Sequence, residues 1–169
     1  MNTKLYIKNM VCDRCITVVK QELEKLKFEI SAVELGEVTL LHRAEPDQLQ
    51  ELQLQLRSVG FELIDDKKLQ LVQKIKNVII ELVHHNKSGI SISDYAEYLS
   101  EQLNKDYAFI SNLFSEIEGT TIEQHVIHQK IERAKELLMY GEKNISEISD
   151  ELDYSSVSHL SNQFKKITG

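Results

Sequence analysis

The sequence lacks long hydrophobic runs. Its longest apolar stretches are only a few residues, and its first residues do not form the apolar core of a signal peptide. A membrane-spanning helix needs about 20 apolar residues, and export needs a signal segment. We therefore expect a cytoplasmic protein that makes no contact with a membrane.

Positive charge is also scarce. Residues 1–66 hold 8 basic and 12 acidic side chains and residues 67–169 hold 12 and 15, so the two parts contribute −4 and −3 to the net charge of −7. Neither part is a polycation. The chain of 169 residues is 41% hydrophobic, so it can bury a core as one ordinary domain or as two small ones.

Cysteine is nearly absent. Cys12 and Cys15 are the only two, and they are too close in sequence to staple a fold. In a reducing compartment such a pair more often binds metal or does redox chemistry. The sequence shows no Gly-rich phosphate loop, paired catalytic carboxylates or nucleophile triad, so we do not expect an enzyme.

Strand and helix patterns alternate through the first 66 residues. LYIKNM and FELI have the pattern of strands, and ISAVELGEVTLLH has the pattern of two strands that turn at Gly36. Two amphipathic helices are predicted from apolar residues at helical spacing: Ile16, Val19, Leu23 and Leu26 in the first, Leu49, Leu52 and Leu56 in the second. This order predicts an α+β protein whose residues 1–66 form a ferredoxin-like βαββαβ sandwich, with both helices on one sheet face.

From residue 67 onward the pattern is helical. KKLQLVQKIKNVIIELVHH carries Leu71, Ile75, Val78, Ile79 and Leu82 at helical spacing, and NKSG then breaks the helix. Residues 67–169 are therefore predicted to form an all-α domain.

Within this domain, one sequence frame occurs twice. FISNLFSEIEG at 109–119 and HLSNQFKKITG at 159–169 share five residues: Ser111 with Ser161, Asn112 with Asn162, Phe114 with Phe164, Ile117 with Ile167, and Gly119 with Gly169. Such a repeat indicates one structural unit used twice.

Each copy predicts two helices joined by a tight turn. The first unit, about residues 90–119, has helices at Ser93–Gln102 and Tyr107–Ile117 with a turn at 104–106. The second, about residues 144–169, has Ser146 as N-cap, a helix through Leu152, a turn at 153–155 and a helix to Ile167. The first copy carries three extra residues, which we assign to the region of its turn. Both units are predicted to be helix-turn-helix motifs, in which the second helix enters the DNA major groove.

A long helix, TIEQHVIHQKIERAKELLMYG, is predicted between the two units, with Ile122, Val126, Ile127, Ile131, Leu137 and Leu138 available for packing. Two such units bridged by KIERAKELL, the second reading ISEISDELDYSSVSHLSNQFKKITG, resemble the DNA-binding domain of the AraC/XylS family of bacterial transcription regulators. The resemblance covers about residues 70–169. It implies a domain that places two recognition helices in successive major-groove segments of double-stranded DNA, and RNA polymerase or another regulator as a protein partner.

The resemblance also implies the DNA-contacting residues. Exposed positions on the early turns of the recognition helices are the expected base contacts: Tyr107, Ala108, Ser111 and Asn112 in the first, Ser155, Ser158, His159 and Asn162 in the second. Lys165 and Lys166, together with Lys105 and Lys143, are expected to contact phosphates. Four apolar residues are expected to face the core: Leu113, Phe114, Leu160 and Phe164.

Two features depart from the family. SSVSHLSNQFKK has none of the arginines that members usually carry, and the first unit ends in acidic SEIE where a basic pair is common. Because Lys and Arg supply most non-specific affinity, we expect modest DNA binding that depends strongly on salt or on a partner. The acidic balance also leaves open a helix-turn-helix that has become a protein-binding module.

The cysteine pair lies in KNMVCDRCITVV, between the first strand and the first helix. A helix N-terminus lowers thiol pKa values, and two thiolates suit Cu(I) or another soft ion better than a structural zinc site, which needs four ligands. MVCDRC in this element order resembles the heavy-metal-associated domain of copper chaperones over residues 3–64, with Met10 turned inward and Gly60-Phe61 ending the second helix. A thioredoxin-like dithiol and a pair that only fills the core remain as alternatives.

Together these observations predict a bacterial transcription regulator of AraC type, possessing a metal-binding-like domain at 1–66 and a DNA-binding domain at 67–169. Under this interpretation a soft metal on Cys12 and Cys15 controls DNA binding. Two rival functions remain: a metallochaperone or metal-binding adaptor whose helical half binds proteins, and a regulator switched by thiol oxidation.

Overall fold

The computed structural model describes residues 3–86 and 89–169. The chain divides into two compact units, one through Asn77 and one from Val78. The first contains a small sheet with its helices, and the second is helical. The sequence analysis placed the division at residue 66, before a helix that contributes residues to both units.

The first unit has the element order that the sequence predicts. Its bounds are β1 Thr3–Lys8, α1 Asp13–Lys25, β2 Ile30–Glu34, β3 Glu37–Leu40, α2 Pro46–Ser58 and β4 Glu62–Leu63. The four strands pair antiparallel in the order β2-β3-β1-β4. Gly36, with φ of +75°, makes the predicted turn between β2 and β3, a backbone conformation that a side chain would disfavour.

One face of this sheet carries the core. Ile7 of β1 and Val38 of β3 are fully buried together with Val19 and Leu23 of α1 and Leu52 of α2. Because side chains alternate along a strand, neighbouring residues of β1 lie on opposite faces of the sheet. Both α1 and α2 pack on the same face, and they contact each other.

A third helix, α3, spans Lys67–Ile80 and continues as a π-helical turn at Glu81–His85. The Lys74 ammonium lies 4.8 Å from the centre of the Tyr6 ring in β1, and Gln70 Nε2 donates to the Ile64 carbonyl at 2.8 Å. Ile75 is fully buried. The first part of α3 therefore belongs to the first unit. The predicted break NKSG includes residues 87 and 88, which lie outside the described residues.

As far as the structure describes it, the second unit contains the end of α3 with its π-helical turn, a short 3-10 turn at Ile92–Asp94 and five further helices. The helices are α4 Tyr95–Leu103, α5 Tyr107–Glu118, α6 Ile122–Tyr140, α7 Ile145–Glu151 and α8 Val157–Thr168. Helices α4 and α5 pack together, α7 and α8 pack together, and each pair packs on α6. Within the described ranges, no helix is long and apolar enough to cross a membrane.

The bridging helix α6 supplies the shared core of this unit. Ile122, Ile131 and Ala134 are fully buried, and Val126 and Leu137 are nearly so. Leu138, expected to be available for packing, is instead 47% exposed. It follows Leu137 by one position and is rotated about 100° away from the buried stripe.

Two local predictions in the second unit are wrong. Asn144, not Ser146, caps α7, because its side chain accepts from the Glu147 N–H while the Glu147 carboxylate accepts from the Asn144 N–H. The second concerns the three extra residues of the first copy. Ile92 precedes the left-handed residue Asn104 by 12 positions, whereas Ile145 precedes the left-handed Asp153 by 8. The first helical segment of the first copy is thus four residues longer. The stretch from the left-handed residue to the shared serine is one residue shorter, at 7 positions from Asn104 to Ser111 against 8 from Asp153 to Ser161, which gives the net difference of three. The extra length therefore lies in the first helical segment and not in the turn.

Candidate nucleic-acid interface

The start of α5 is fixed by its cap. Asn104 takes the left-handed conformation at the end of α4, and the Asp106 side chain accepts from the N–H groups of Ala108 and Phe109 at 2.8 and 3.4 Å. These two residues form the tight turn that the sequence predicts. Gly119, also left-handed, ends the helix.

The four base contacts predicted on α5 differ in exposure. Ala108 and Asn112 are exposed, whereas Tyr107 and Ser111 are half-buried. The Tyr107 ring packs edge-on against Tyr95 of α4 at 6.3 Å between centroids. Burial, followed by the neighbouring Tyr95, raises the pKa of Tyr107 to about 12, so its hydroxyl stays protonated near neutral pH. Tyr107 thus helps to hold α5 against α4.

The start of α8 is ordered by side chains that the sequence also predicts as base contacts. Ser156 caps the helix by accepting from the His159 N–H at 3.0 Å, and the Ser155 hydroxyl lies 3.1 Å from His159 Nδ1. The His159 ring lies edge-on to Tyr154, at 5.2 Å between centroids. The exposed imidazole thus contacts two side chains of the preceding turn.

The remaining predicted contacts on α8 share its exposed surface. Ser158 and Asn162 are one helical turn apart, and Lys165 and Lys166 lie in the last turn; all four are exposed. On the opposite side Leu160 is buried. The structure thus brings polar and basic side chains together along one helix.

The predicted core residues are buried, with one exception. Leu113, Phe114 and Leu160 are buried, whereas Phe164 is only half-buried. The Phe114 ring lies 5.4 Å from that of His125 on α6. This contact gives His125 a structural role in packing α6 against α5.

Sequence reasoning missed Phe109. Its side chain is 52% exposed on the first turn of α5, next to the buried Ile110, and the Lys105 ammonium lies 5.6 Å from its ring centre. A sequence signal could have identified Phe109: it is a large apolar side chain on the same outer face of the helix as Ala108 and Asn112. Apolar side chains in the major groove contact the methyl group of thymine.

The two helix-turn-helix units differ in charge. Residues 90–119 contain six acidic side chains and one basic side chain, Lys105. The cap of α5 is the carboxylate of Asp106, whereas the cap of α8 is the neutral hydroxyl of Ser156. Phosphate groups favour helix N-termini that carry no negative side chain. The start of α8 in the second helix-turn-helix copy is therefore better suited to a phosphate group than the start of α5 in the first copy.

The cysteine pair lies at the N-terminus of α1, with Cys12 at the N-cap position. The two sulfurs are 3.5 Å apart. Burial alone would raise the pKa of Cys15, but hydrogen bonds with the backbone of Val11, Cys12 and Cys15 and with the Cys12 side chain outweigh it, so the pKa is lowered. The Met10 side chain is 1% exposed and lies in the core.

One soft ion could reach both sulfurs. With metal–sulfur bonds of about 2.3 Å, the observed separation of 3.5 Å corresponds to an S–metal–S angle of about 100°, and a linear arrangement of two thiolates would require the sulfurs to move about 1 Å further apart. Among residues 3–86 and 89–169, no group of three or more His, Cys, Asp or Glu side chains could hold a metal ion.

Comparison with known protein families finds a match within the second unit. Residues 99–169 match the family model described as a helix-turn-helix domain. The match supports an AraC-type helix-turn-helix domain in this part of the chain, as the sequence analysis expected. It does not reach the first unit, and the comparisons give no support to the heavy-metal-associated resemblance of residues 3–64.

One curated relative points in the same direction. The chain is 27% identical over 109 residues to a protein of Photobacterium leiognathi named "Probable transcriptional regulator LumQ". The alignment covers 63% of this chain and 41% of the relative, so the chain spans less than half of that protein's length. No solved structure gives a significant match.

Proposed function

We propose that this protein is a sequence-specific, DNA-binding transcription regulator of AraC type, with α5 and α8 as its recognition helices. The observation that carries the proposal is the repeated helix-turn-helix, each copy packed on α6 and each presenting exposed polar side chains on its second helix. The matched family and the similarity to a probable transcriptional regulator support it. Such a protein acts where the DNA is, in the cytoplasm.

The exposed side chains divide into base and phosphate contacts. Asn112 and Asn162 can each bridge N6 and N7 of adenine, and Phe109 can pack on a thymine methyl group. Ser158 and His159 are more permissive partners. Lys165 and Lys166 lie at the end of α8, where they can neutralise phosphates.

The acidic first helix-turn-helix copy, residues 90–119, limits the strength of DNA binding. Its six carboxylates repel DNA, so the contacts of α8 supply most of the affinity and those of α5 mainly select sequence. We therefore propose that a protein partner, RNA polymerase or another regulator, strengthens binding at the target site. A partner with a basic surface would complement the acidic first helix-turn-helix copy.

As a second function, we propose that Cu(I) or another soft ion controls the regulator through the first unit. The element order and the strand order β2-β3-β1-β4 support a ferredoxin-like sandwich in this unit. Cys12 and Cys15 would hold the ion, and their 3.5 Å separation and the lowered pKa of Cys15 favour it. A bound ion would bridge the two sulfurs and order the loop before α1.

The chain itself offers a path from this loop to the second unit. Met10 follows β1 and lies in the core shared by β3, α1 and α2. Tyr6 of β1 contacts Lys74 of α3, and α3 continues without a break past Asn77 into the second unit. We propose that the loop and the DNA-binding helices are coupled through α3.

The test of the first proposal is an unbiased selection of bound DNA from a random library, followed by affinity measurement on the enriched motif. In Asn162→Ala, we expect a loss of about 1–3 kcal/mol on the preferred site and relaxed base choice at one position. If neither the full chain nor its second unit enriches a motif, the regulator proposal fails, and capture of protein partners by the helical unit would then favour the adaptor alternative.

The metal proposal is tested separately under reducing conditions. Cu(I) is titrated in competition with a chelator, with and without the selected DNA, using the Cys12→Ser/Cys15→Ser double variant as control. We expect retention of one ion by the wild type only, and a coupling factor of about 5 to 150 that appears in both the metal and the DNA affinity. No retained ion removes metal control; DNA affinity that changes only on thiol oxidation favours the redox alternative.

A further inference from the structure

The turn of the second helix-turn-helix unit makes a direct contact with the start of the first. Asp153 lies in the turn between α7 and α8, and its Oδ2 accepts from the Ser91 hydroxyl at 2.7 Å and from the N–H of Ile92 at 2.5 Å. It also accepts from the Ser93 N–H at 3.4 Å. These residues begin the 3-10 turn that leads into α4. One carboxylate oxygen thus caps a helical segment about 60 residues away in the sequence.

The two copies differ in how their first helix is capped. In the second copy, Asn144 and Glu147 satisfy the helix start locally, each accepting from the backbone of the other. In the first copy the matching residue, Ser91, supplies only one weaker local bond, from Ser93 N–H at 3.3 Å. The stronger, charge-assisted bonds come from Asp153. The start of the first helix-turn-helix copy therefore depends on the second copy for its cap.

Asp153 is itself exposed, but the residue that follows it, Tyr154, is anchored to the second helix-turn-helix copy. Tyr154 is buried, its hydroxyl donates to Gln163 of α8, and the Lys130 ammonium lies 3.9 Å from its ring centre. Asp153 therefore moves with α8. The 3-10 turn it caps packs on α4, which packs on α5. This makes a second connection between the two recognition helices, in addition to the one through α6.

We propose that Asp153 is a positioning residue that fixes the placement of α5 relative to α8 and thereby selects the distance between the two DNA segments that the protein binds. This inference rests on the proposed DNA-binding function. A second rigid connection restricts the two helices to one spacing, because a site of another length would have to break the Asp153 contacts. Without the Asp153 contacts, the two helix-turn-helix copies tolerate more than one distance between their DNA segments.

Two substitutions isolate the carboxylate from its backbone. Asp153 has φ of +53°, which glycine and asparagine adopt readily, so Asp153→Gly removes the acceptor without strain and Asp153→Asn keeps an acceptor oxygen. The affinity of each full-length protein is measured on the selected site and on sites with one base pair inserted or deleted between the two segments. The ratio of affinities for native and altered spacing is the readout.

We expect Asp153→Gly to reduce this ratio at least about fivefold, the lower end of coupling factors between sites, and Asp153→Asn to stay within about twofold of the wild type. A wild type that tolerates altered spacing, a glycine variant that keeps the ratio, or an equal loss of affinity at all spacings would overturn the positioning role. The last result would show a cap that only stabilises the fold.

A measurement without DNA separates this inference from the proposed function. Amide hydrogen exchange of Ile92 and Ser93 is followed by NMR in the three full-length proteins. We expect slow exchange in the wild type and in Asp153→Asn, and faster exchange in Asp153→Gly. Equal exchange in all three would overturn the contact itself, whatever the DNA experiments show; slow exchange in a protein that enriches no motif would refute the function and leave the contact standing.

Discussion

Replacing Lys165 and Lys166 together by alanine tests whether the end of α8 contacts DNA phosphates. Both side chains are exposed in the last turn of the helix. Each phosphate that a protein neutralises adds about 0.9 to the slope of log affinity against log salt concentration. If both lysines make such contacts, the double variant should lose about 1.8 from that slope.

This change in slope has a measurable consequence. Between 50 and 200 mM salt the concentration rises fourfold, so a slope difference of about 1.8 changes the ratio of wild-type to variant affinity by about 12-fold. The variant should therefore bind much more weakly than the wild type at low salt and approach it at high salt. Fluorescence anisotropy on the selected site, repeated at four or five salt concentrations, measures both slopes.

The matched control removes the same charge elsewhere. Lys8 and Lys20 are exposed in the first unit, and their double alanine variant changes the net charge from −7 to −9, as the α8 variant does. We expect the control to keep the wild-type slope within about 0.3, because these two lysines are not on the proposed recognition helices and the slope counts only the phosphates that a protein neutralises. Equal slope changes in the two double variants would refute a local contact, and no change in either would refute phosphate binding by α8.

Three further outcomes follow from single side chains. Phe109→Ala should abolish the difference in affinity between sites with thymine and sites with uracil at one position, since uracil lacks the methyl group; an unchanged preference would place Phe109 outside the DNA contact. Phe114→Ala, on the buried side of the same helix, should cost about 3–5 kcal/mol of unfolding free energy in urea, against about 0.7–1.5 kcal/mol for the half-exposed Phe109, and equal costs would mean that α5 is oriented differently. In Cys12→Ser, alkylation of Cys15 by iodoacetamide should reach half its maximal rate at a lower pH in the folded protein than in the urea-unfolded protein, because backbone hydrogen bonds lower the pKa of this thiol and the thiolate is the reactive form; an identical pH profile in the two states would contradict the hydrogen bonds at the start of α1.

Sequence periodicity determined most of the secondary structure. Apolar spacing placed α1 and α2, and the glycine at 36 placed the turn between β2 and β3, because these signals are local and act through backbone conformation and one-sided burial. The repeated frame around Asn112 and Asn162 likewise identified two helix-turn-helix units, the second of which lies in the matched domain. A repeat is visible in sequence since each copy must satisfy the same packing against α6.

The tertiary structure decided what depends on contacts between distant residues. Three features follow from how the helices pack. Tyr107 is held against Tyr95, Phe109 is exposed, and Asp153 caps the start of the other helix-turn-helix copy. No local pattern encodes these pairings, because a carboxylate in a turn has the same sequence signature whether it points to solvent or to a helix 60 residues away. The sequence by itself therefore determined the helices, the strands and the two helix-turn-helix copies. Only the packing decided which side chains are available to a partner and which hold the two copies together.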